Sequence, residues 1–352
     1  MIPIPFATPD HPGGGGRPAS PPLRAGGTTI RPILRHSPSA LPDFAAAAER
    51  SAHCHAACWR SPRGWVRLGR PAGDRPILQT APPLPRAVCE VPRTVGTAEL
   101  AVKTRAGATV TDRLRTSGAL RILFPAVSPR LEGIVINTGG GLTGGDRLSL
   151  SARVGVGGHL TLTTQAAERV YRAASGEARV VSHVTVVAGA HLSWLPQETI
   201  LYDGAALSRR LRIDLDADAT LLLAEPVVFG RRAMGERLDA ARLTDRIAVR
   251  RNGAPLYLDG VTLSGDIDAR LARGAVGGGA GAMASVLYVA PDAEARLADI
   301  RAALPDTAGA SLLAADILVL RFLAGDGFDL RTHLVPVLDR LSRGTLPASW
   351  RL

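Results

Sequence analysis

Apolar and polar residues alternate through most of the chain between residues 96 and 264, the two-residue period of a strand with one buried face. The alternation is clear over 98–104 and 148–156, and it predicts further strands near 159–164, 179–187, 190–195, 208–215, 219–224, 245–251 and 255–264. Shorter apolar runs, Leu120 to Phe124 and Ile134 to Ile136, lead into loops. Helical periodicity is absent until residue 291. One more strand is expected over 284–290, and 292–304 then places Leu297, Ile300 and Leu304 on one helical face. Residues 311–323 hold one or two strands, and Leu330, Leu334, Leu338 and Leu341 give 328–341 a helical stripe that Pro336 is expected to kink or to begin. The fold class expected is mainly β: a β body over 94–283 with a small α+β part over 284–352.

Three segments of the β body resemble one another. GHLTLTTQ (158–165) aligns with AHLSWLPQ (190–197) and, more weakly, with ATLLLAEP (219–226). Spacings of 32 and 29 residues in β-rich sequence predict similar units stacked as a β-helix-like solenoid or as layered sheets, each burying its apolar face on the next.

Composition divides the chain. Residues 1–93 carry 17 of the 26 prolines and a run of glycines from Gly13 to Gly16, with little periodicity, as expected of a disordered Pro/Gly/Arg-rich extension. The net charge of +11 is concentrated there, where 12 arginines meet 5 acidic residues. The remainder is nearly balanced, which removes the electrostatic case for a nucleic-acid partner of the main body. Cys54, Cys58 and Cys89 all fall in the extension, so the body holds no disulfide, as suits a reducing, cytoplasmic setting. The start, MIPIPFATPD, has neither a basic nor an apolar targeting region, and no run approaches the roughly 18 apolar residues of a membrane span. His53, Cys54, His55 and Cys58 put four N/S donors in six residues, but so short a segment rarely closes a tetrahedron without a second ligand pair.

The β body offers few motifs of catalysis. Gly139-Gly140-Gly141-Leu142-Thr143-Gly144 meets the letter of a dinucleotide fingerprint, which also requires a helix N-terminus to hold the pyrophosphate. Asp146 and an alternating strand follow instead, and no lysine follows the glycines as a Walker A loop demands. His159, His183, His191 and His333 are scattered, and no cysteine or serine nucleophile motif is present. What remains is a set of polar residues in apolar or turn settings: Asp146, Thr163, Thr164, Gln165, Tyr171, Arg172, Gln197, Glu198, Asp203, Glu225, Arg231 and Glu236. Each must be solvated, paired or functional, and on the residues alone turn hydrogen bonding accounts for them more readily than function does.

Four segments, INTGGGLTGGDRL (136–148), LTTQAAERVYR (162–172), WLPQETILYDGA (194–205) and EPVVFGRRAMGE (225–236), resemble the UreD family of urease accessory proteins, also called UreH. The ending LPASWR (346–351) is similar to that family's C-terminus, and the resemblance covers residues 94–352. It implies a mostly β stacked fold with no catalytic activity or resident cofactor. It also implies binding to urease apoprotein together with UreF-like and UreG-like partners, and GTP-dependent delivery of Ni²⁺ to the urease active site through an internal, water-filled route. By the same resemblance Asp146, Thr163, Thr164, Gln165, Gln197, Glu198, Asp203, Glu225, Arg231 and Glu236 line that passage or shape the partner surface. Weak oxygen sites suit a cation that must be released, whereas thiolates would hold it. Many members carry a Cys-His pair shortly before the glycine loop, where this chain has Leu131-Glu132-Gly133, with Glu132 offering an oxygen instead.

Two other classes remain open to the residues alone. A β-solenoid carbohydrate-active enzyme would use paired carboxylates such as Glu198 and Asp203 as acid and base across one groove. A binding module would use the basic extension on nucleic acid, with a steep salt dependence.

Overall fold

The computed structural model describes residues 92–125 and 130–351, so nearly all of the extension, including His53, Cys54, His55 and Cys58, lies outside the described residues. Two sheets form the body, with strands numbered in chain order. The first comprises β1 (Val95–Arg105), β2 (Ala108–Gly118), β5 (Arg147–Val154), β8 (Ala178–Val186), β11 (Ala206–Leu215), β13 (Ala241–Arg251) and β14 (Ala254–Gly265), in the order β14-β13-β11-β8-β5-β1-β2. The second runs β16-β17-β15-β12-β9-β6-β4-β3, made of β3 (Leu120–Leu123), β4 (Leu131–Asn137), β6 (His159–Thr164), β9 (His191–Leu195), β12 (Thr220–Phe229), β15 (Ala282–Val289), β16 (Ala308–Ala314) and β17 (Ile317–Ala324). Neighbours from β1 to β13 in the first sheet, and from β4 to β12 in the second, pair in parallel. The chain therefore climbs as a solenoid, crossing from one sheet to the other on every turn.

The register of these turns is the repeat seen in the sequence. His159 pairs with His191 and His191 with Thr220, the same residues that the three similar segments align. Hairpins close the first sheet at both edges. β1 and β2 turn through Ala106-Gly107 and β13 and β14 through Asn252-Gly253, all four residues at positive φ (49°, 78°, 50° and 78°), as a tight hairpin matched to the strand twist requires.

Burial explains which strands alternate. β5 alternates exposed and buried positions because one face of the first sheet meets solvent and the other meets the second sheet. Every residue of β15 is buried, because helices α2 (Ala293–Ala302) and α3 (Gly327–Leu341) cover the outer face of the second sheet with Ile300, Leu330, Leu334, Leu338 and Leu341. That is why 284–290 is apolar apart from Ser285, where earlier strands alternate. The expected boundary at 283/284 falls within β15, which pairs along β12, so the C-terminal strands extend the second sheet.

Several expectations are corrected. Strand β2 and helix α1 (Ile267–Leu271) were not expected: most of β2 is exposed, and the five residues of α1, with Ile267 and Leu271 buried, are too few to show a helical period. Pro336 neither starts nor interrupts α3, whose N-cap is Asp326, its carboxylate accepting from the Asp329 amide at 2.9 Å. β12 runs well past residue 224 and through Pro226.

Candidate functional site

A third face joins the two sheets. Strands β7 (Glu168–Val170) and β10 (Thr199–Leu201) pair in parallel with each other, and β10 pairs with the last residues of β12. Leu142 of the glycine loop bridges to Val170, Val170 pairs with Leu201, and Leu201 with Phe229. These four side chains are no more than 1% exposed and form a ladder up the inside of the face. The four sequence motifs are thus one position of the solenoid, occupied on four successive turns.

The glycine loop is the lowest of these turns, and the next turn is what comes close to it. Leu142 N donates to Arg169 O and Tyr171 N to Leu142 O, both at 2.7 Å. A Cβ on Gly141 (φ 141°) would lie 2.4 Å from the Tyr171 ring, and one on Gly144 would lie 2.1 Å from Ser175 O. Asp146 is 2% exposed and turned inward, its Oδ1 accepting from Thr94 N at 2.7 Å and its Oδ2 from Thr143 N at 2.8 Å. It clasps the loop to the start of β1.

Between the second sheet and the third face the strands break. Residues 165–167, 196–198 and the middle of β12 are these breaks on successive turns. Pro226 is tolerated there because β12 has left β9 at Leu223 and does not meet β10 until Val227, so no parallel neighbour asks for its missing N–H. Backbone left unpaired at a break is met by the adjacent turn: Gln197 N donates to Thr164 Oγ1 at 2.9 Å, and Glu168 N to Glu198 O at 2.8 Å.

Inside the breaks lies a cavity of about 310 Å³, walled by apolar residues of both sheets and bordered by oxygen donors from Thr163, Thr164, Gln165, Glu168, Gln197 and Glu225. Glu168 enters it with both oxygens 3.2 Å from Asn137 Nδ2, and burial raises its carboxyl to about 7. Glu225, 3% exposed, takes a hydrogen bond from Trp194 Nε1 at 2.7 Å and faces Arg209 Nη1 at 2.5 Å. Arg209 also binds Asp245 in bidentate fashion, Nε to Oδ1 at 3.0 Å and Nη2 to Oδ2 at 2.5 Å, and its Nη1 donates to Thr199 Oγ1 at 3.0 Å. Burial pushes the Glu225 carboxyl up, against the pull of Arg209.

The other expected residues form two further groups. Glu198 and Gln197 are held from outside the second sheet by Arg331 of α3, which donates to Glu198 Oε1 at 2.9 Å, Gln197 Oε1 at 2.7 Å and Trp350 O at 2.9 Å. Ser349 Oγ lies 3.4 Å from Thr163 Oγ1, and Trp350 Nε1 donates to Leu195 O at 2.9 Å, so the LPASWR ending seats on the WLPQE break. Above the third face, Asp203 pairs with Arg172 and accepts from Ala240 N at 3.1 Å, while Arg231 binds Glu236 through Nε at 3.0 Å and Nη2 at 3.1 Å and covers Tyr202 at 4.3 Å. Glu198 and Asp203 are held by different partners, Arg331 and Arg172. Among the described residues no three His, Cys, Asp or Glu side chains converge as a metal site. Glu132, on β4, pairs in register with Thr161.

The sequence model of the UreD urease accessory protein family matches residues 94–351. The chain belongs to the UreD family of urease accessory proteins. It is 46% identical over 277 residues to the urease accessory protein UreD of Roseobacter denitrificans, covering 78% of this chain and all of that protein. Identity to the UreD of Ruegeria pomeroyi is 49% over 256 residues, covering 72% of this chain and all of that protein. The UreD of Rhizobium etli is 43% identical over 262 residues, covering 74% and 96%.

For a UreD chain, sequence reasoning missed Glu168, Arg209, Asp245 and Arg331. Glu168 lies within the LTTQAAERVYR motif as the first residue of β7, and its neighbours Ala167 and Arg169 gave no period to single it out. Arg209, Asp245 and Arg331 lie outside the motifs on ordinary-looking strands and a helix, and only the pairing of turns shows them to be buried partners.

Proposed function

We propose that this chain is a non-enzymatic scaffold that binds urease apoprotein with UreF-like and UreG-like partners in the cytoplasm, and that its inter-sheet cavity passes Ni²⁺ toward urease during GTP-dependent insertion. Nickel is cargo here, with no resident cofactor. The observation that carries this reading is an oxygen-bordered cavity inside an otherwise apolar solenoid, in a chain of the urease accessory family. Carboxylate, amide and hydroxyl oxygens hold a divalent cation weakly enough to release it, and the β body has no cysteine to trap it. Thr163, Thr164, Gln165, Gln197, Glu168 and Glu225 would serve the passage. Asp203, Arg231 and Glu236, with Tyr171, Arg172 and Tyr202, would serve the partner surface. Asp146 and Glu198 support the two by fixing the glycine loop and the C-terminal seat.

The deciding experiment is complementation of a urease operon that lacks its UreD gene, with urease activity and urease nickel content measured together. Restored activity is expected from the full chain, with lower nickel content from Glu225→Ala while the accessory complex still assembles. Soluble chain that assembles with its partners and restores nothing would overturn the proposal.

A further inference from the structure

Arg209 borders one cavity, and its two carboxylate partners border a second. The first is the 310 Å³ chamber, which Arg209 and Glu225 both border. The second is a void of about 10 Å³, bordered by Glu225, Asp245, Asp259 and Ser285, close to the smallest space that holds one water. Glu225 borders both spaces, and Asp245, the other carboxylate on Arg209, borders the smaller one. Beyond the void Asp259 accepts from Ser285 Oγ at 2.8 Å and from Arg321 Nη2 at 2.7 Å, which continues the polar line.

Two buried carboxylates share one guanidinium, and burial pushes the Glu225 carboxyl up against that guanidinium's pull. Glu225 Oε2, buried, accepts no hydrogen bond, and its 2.5 Å approach to Arg209 Nη1 is ionic contact without donor alignment. The other oxygen is fixed by Trp194, so Oε2 is left pointing at whatever cation stands there. A divalent cation would neutralise the pair fully where a guanidinium neutralises half of it, and Thr199 Oγ1, now 3.0 Å from Arg209 Nη1, supplies a third oxygen.

We propose that Glu225 and Asp245 form a buried divalent-cation site that Arg209 occupies as a built-in counter-ion, so that a cation enters only when the guanidinium swings into the neighbouring chamber. The chamber borders Arg209 and is an order of magnitude larger than the void beyond, which gives the side chain somewhere to go. The purpose assigned to this exchange rests on the passage reading above; the site itself does not. Arg209 would keep the route closed to stray cations until partner binding favours the swung-out form.

The test uses the full chain and NiCl₂, following bound metal by equilibrium dialysis and tryptophan emission in parallel. Arg209→Met should bind one more equivalent of Ni²⁺ than the unaltered chain and lose emission as it does so, because the Trp194 indole rests on Glu225. Adding Glu225→Gln should abolish both gains, and Arg209→Lys, which keeps the charge, should show neither. Equal Ni²⁺ uptake by the unaltered chain and Arg209→Met, or extra uptake that survives Glu225→Gln, overturns the site. Where Arg209→Met does not fold alone, refolding it with and without Ni²⁺ takes over: recovery that depends on Ni²⁺ and on Glu225 supports the site, and no recovery overturns it. If Arg209→Met gains the Ni²⁺ equivalent yet activates urease no differently, the cation site stands and the passage falls.

Discussion

Glu168 illustrates how a single buried group sets a pH response. Its carboxyl is raised to about 7 by burial, so between about 4.5 and 7 the folded chain keeps a proton that the unfolded chain has lost. The stability tied to that proton is complete below the unfolded value and is lost as pH rises through about 7. Glu168→Gln keeps the contact with Asn137 without the charge. It should therefore unfold at higher temperature than the unaltered chain at pH 8, by on the order of 1–3 kcal/mol, with the gap closing below pH 4.5, as thermal melts across pH would show. Asp146 serves the loop through its two backbone amide bonds. Asp146→Ala should cost about 2–3 kcal/mol by denaturant unfolding, whatever its effect on nickel.

Among the elements, the third face depends on close approach between turns. Gly141→Ala would force a Cβ into the Tyr171 ring at a backbone angle that alanine avoids, and should destabilise the chain by about 2–4 kcal/mol in a chemical melt. Helix α3 is tied to the second sheet by Arg331, which serves Gln197, Glu198 and the carbonyl of Trp350 together. Arg331→Ala leaves a buried carboxylate short of its cation. It should lower stability by on the order of 3 kcal/mol and raise amide exchange over the last residues, measured by mass spectrometry. The alternating strands were legible because one face of the first sheet meets solvent. The short strands β7 and β10 were not, because three residues carry no period, and β2 was not, because most of its side chains are exposed.

At the scale of the molecule, the family match spans residues 94–351, and an alignment that takes in all of the Ruegeria pomeroyi UreD covers 72% of this chain. A chain beginning at residue 92 should therefore restore urease activity in the complementation assay as the full chain does. Loss of activity with the shortened chain still soluble would give the Pro/Gly/Arg-rich segment a function of its own. The unpaired backbone at the solenoid corners explains why polar residues gather where they do: each turn breaks between the second sheet and the third face, and the broken ends need side-chain partners.

The sequence by itself determined the β class, the repeat that became the register of the solenoid, the need for glycine beside Asp146, and the family. These follow from local periodicity and from residue types that only particular backbone conformations accept. Tertiary structure alone decided which polar residues meet. Glu225 and Asp245 lie on strands of different sheets, 20 residues apart, and share Arg209 only because the turns stack. Arg331 and Glu198, 133 positions apart, meet only because α3 covers the second sheet. Coulombic pairing and burial act through space, and a period along the chain carries no record of the neighbours that stacking supplies.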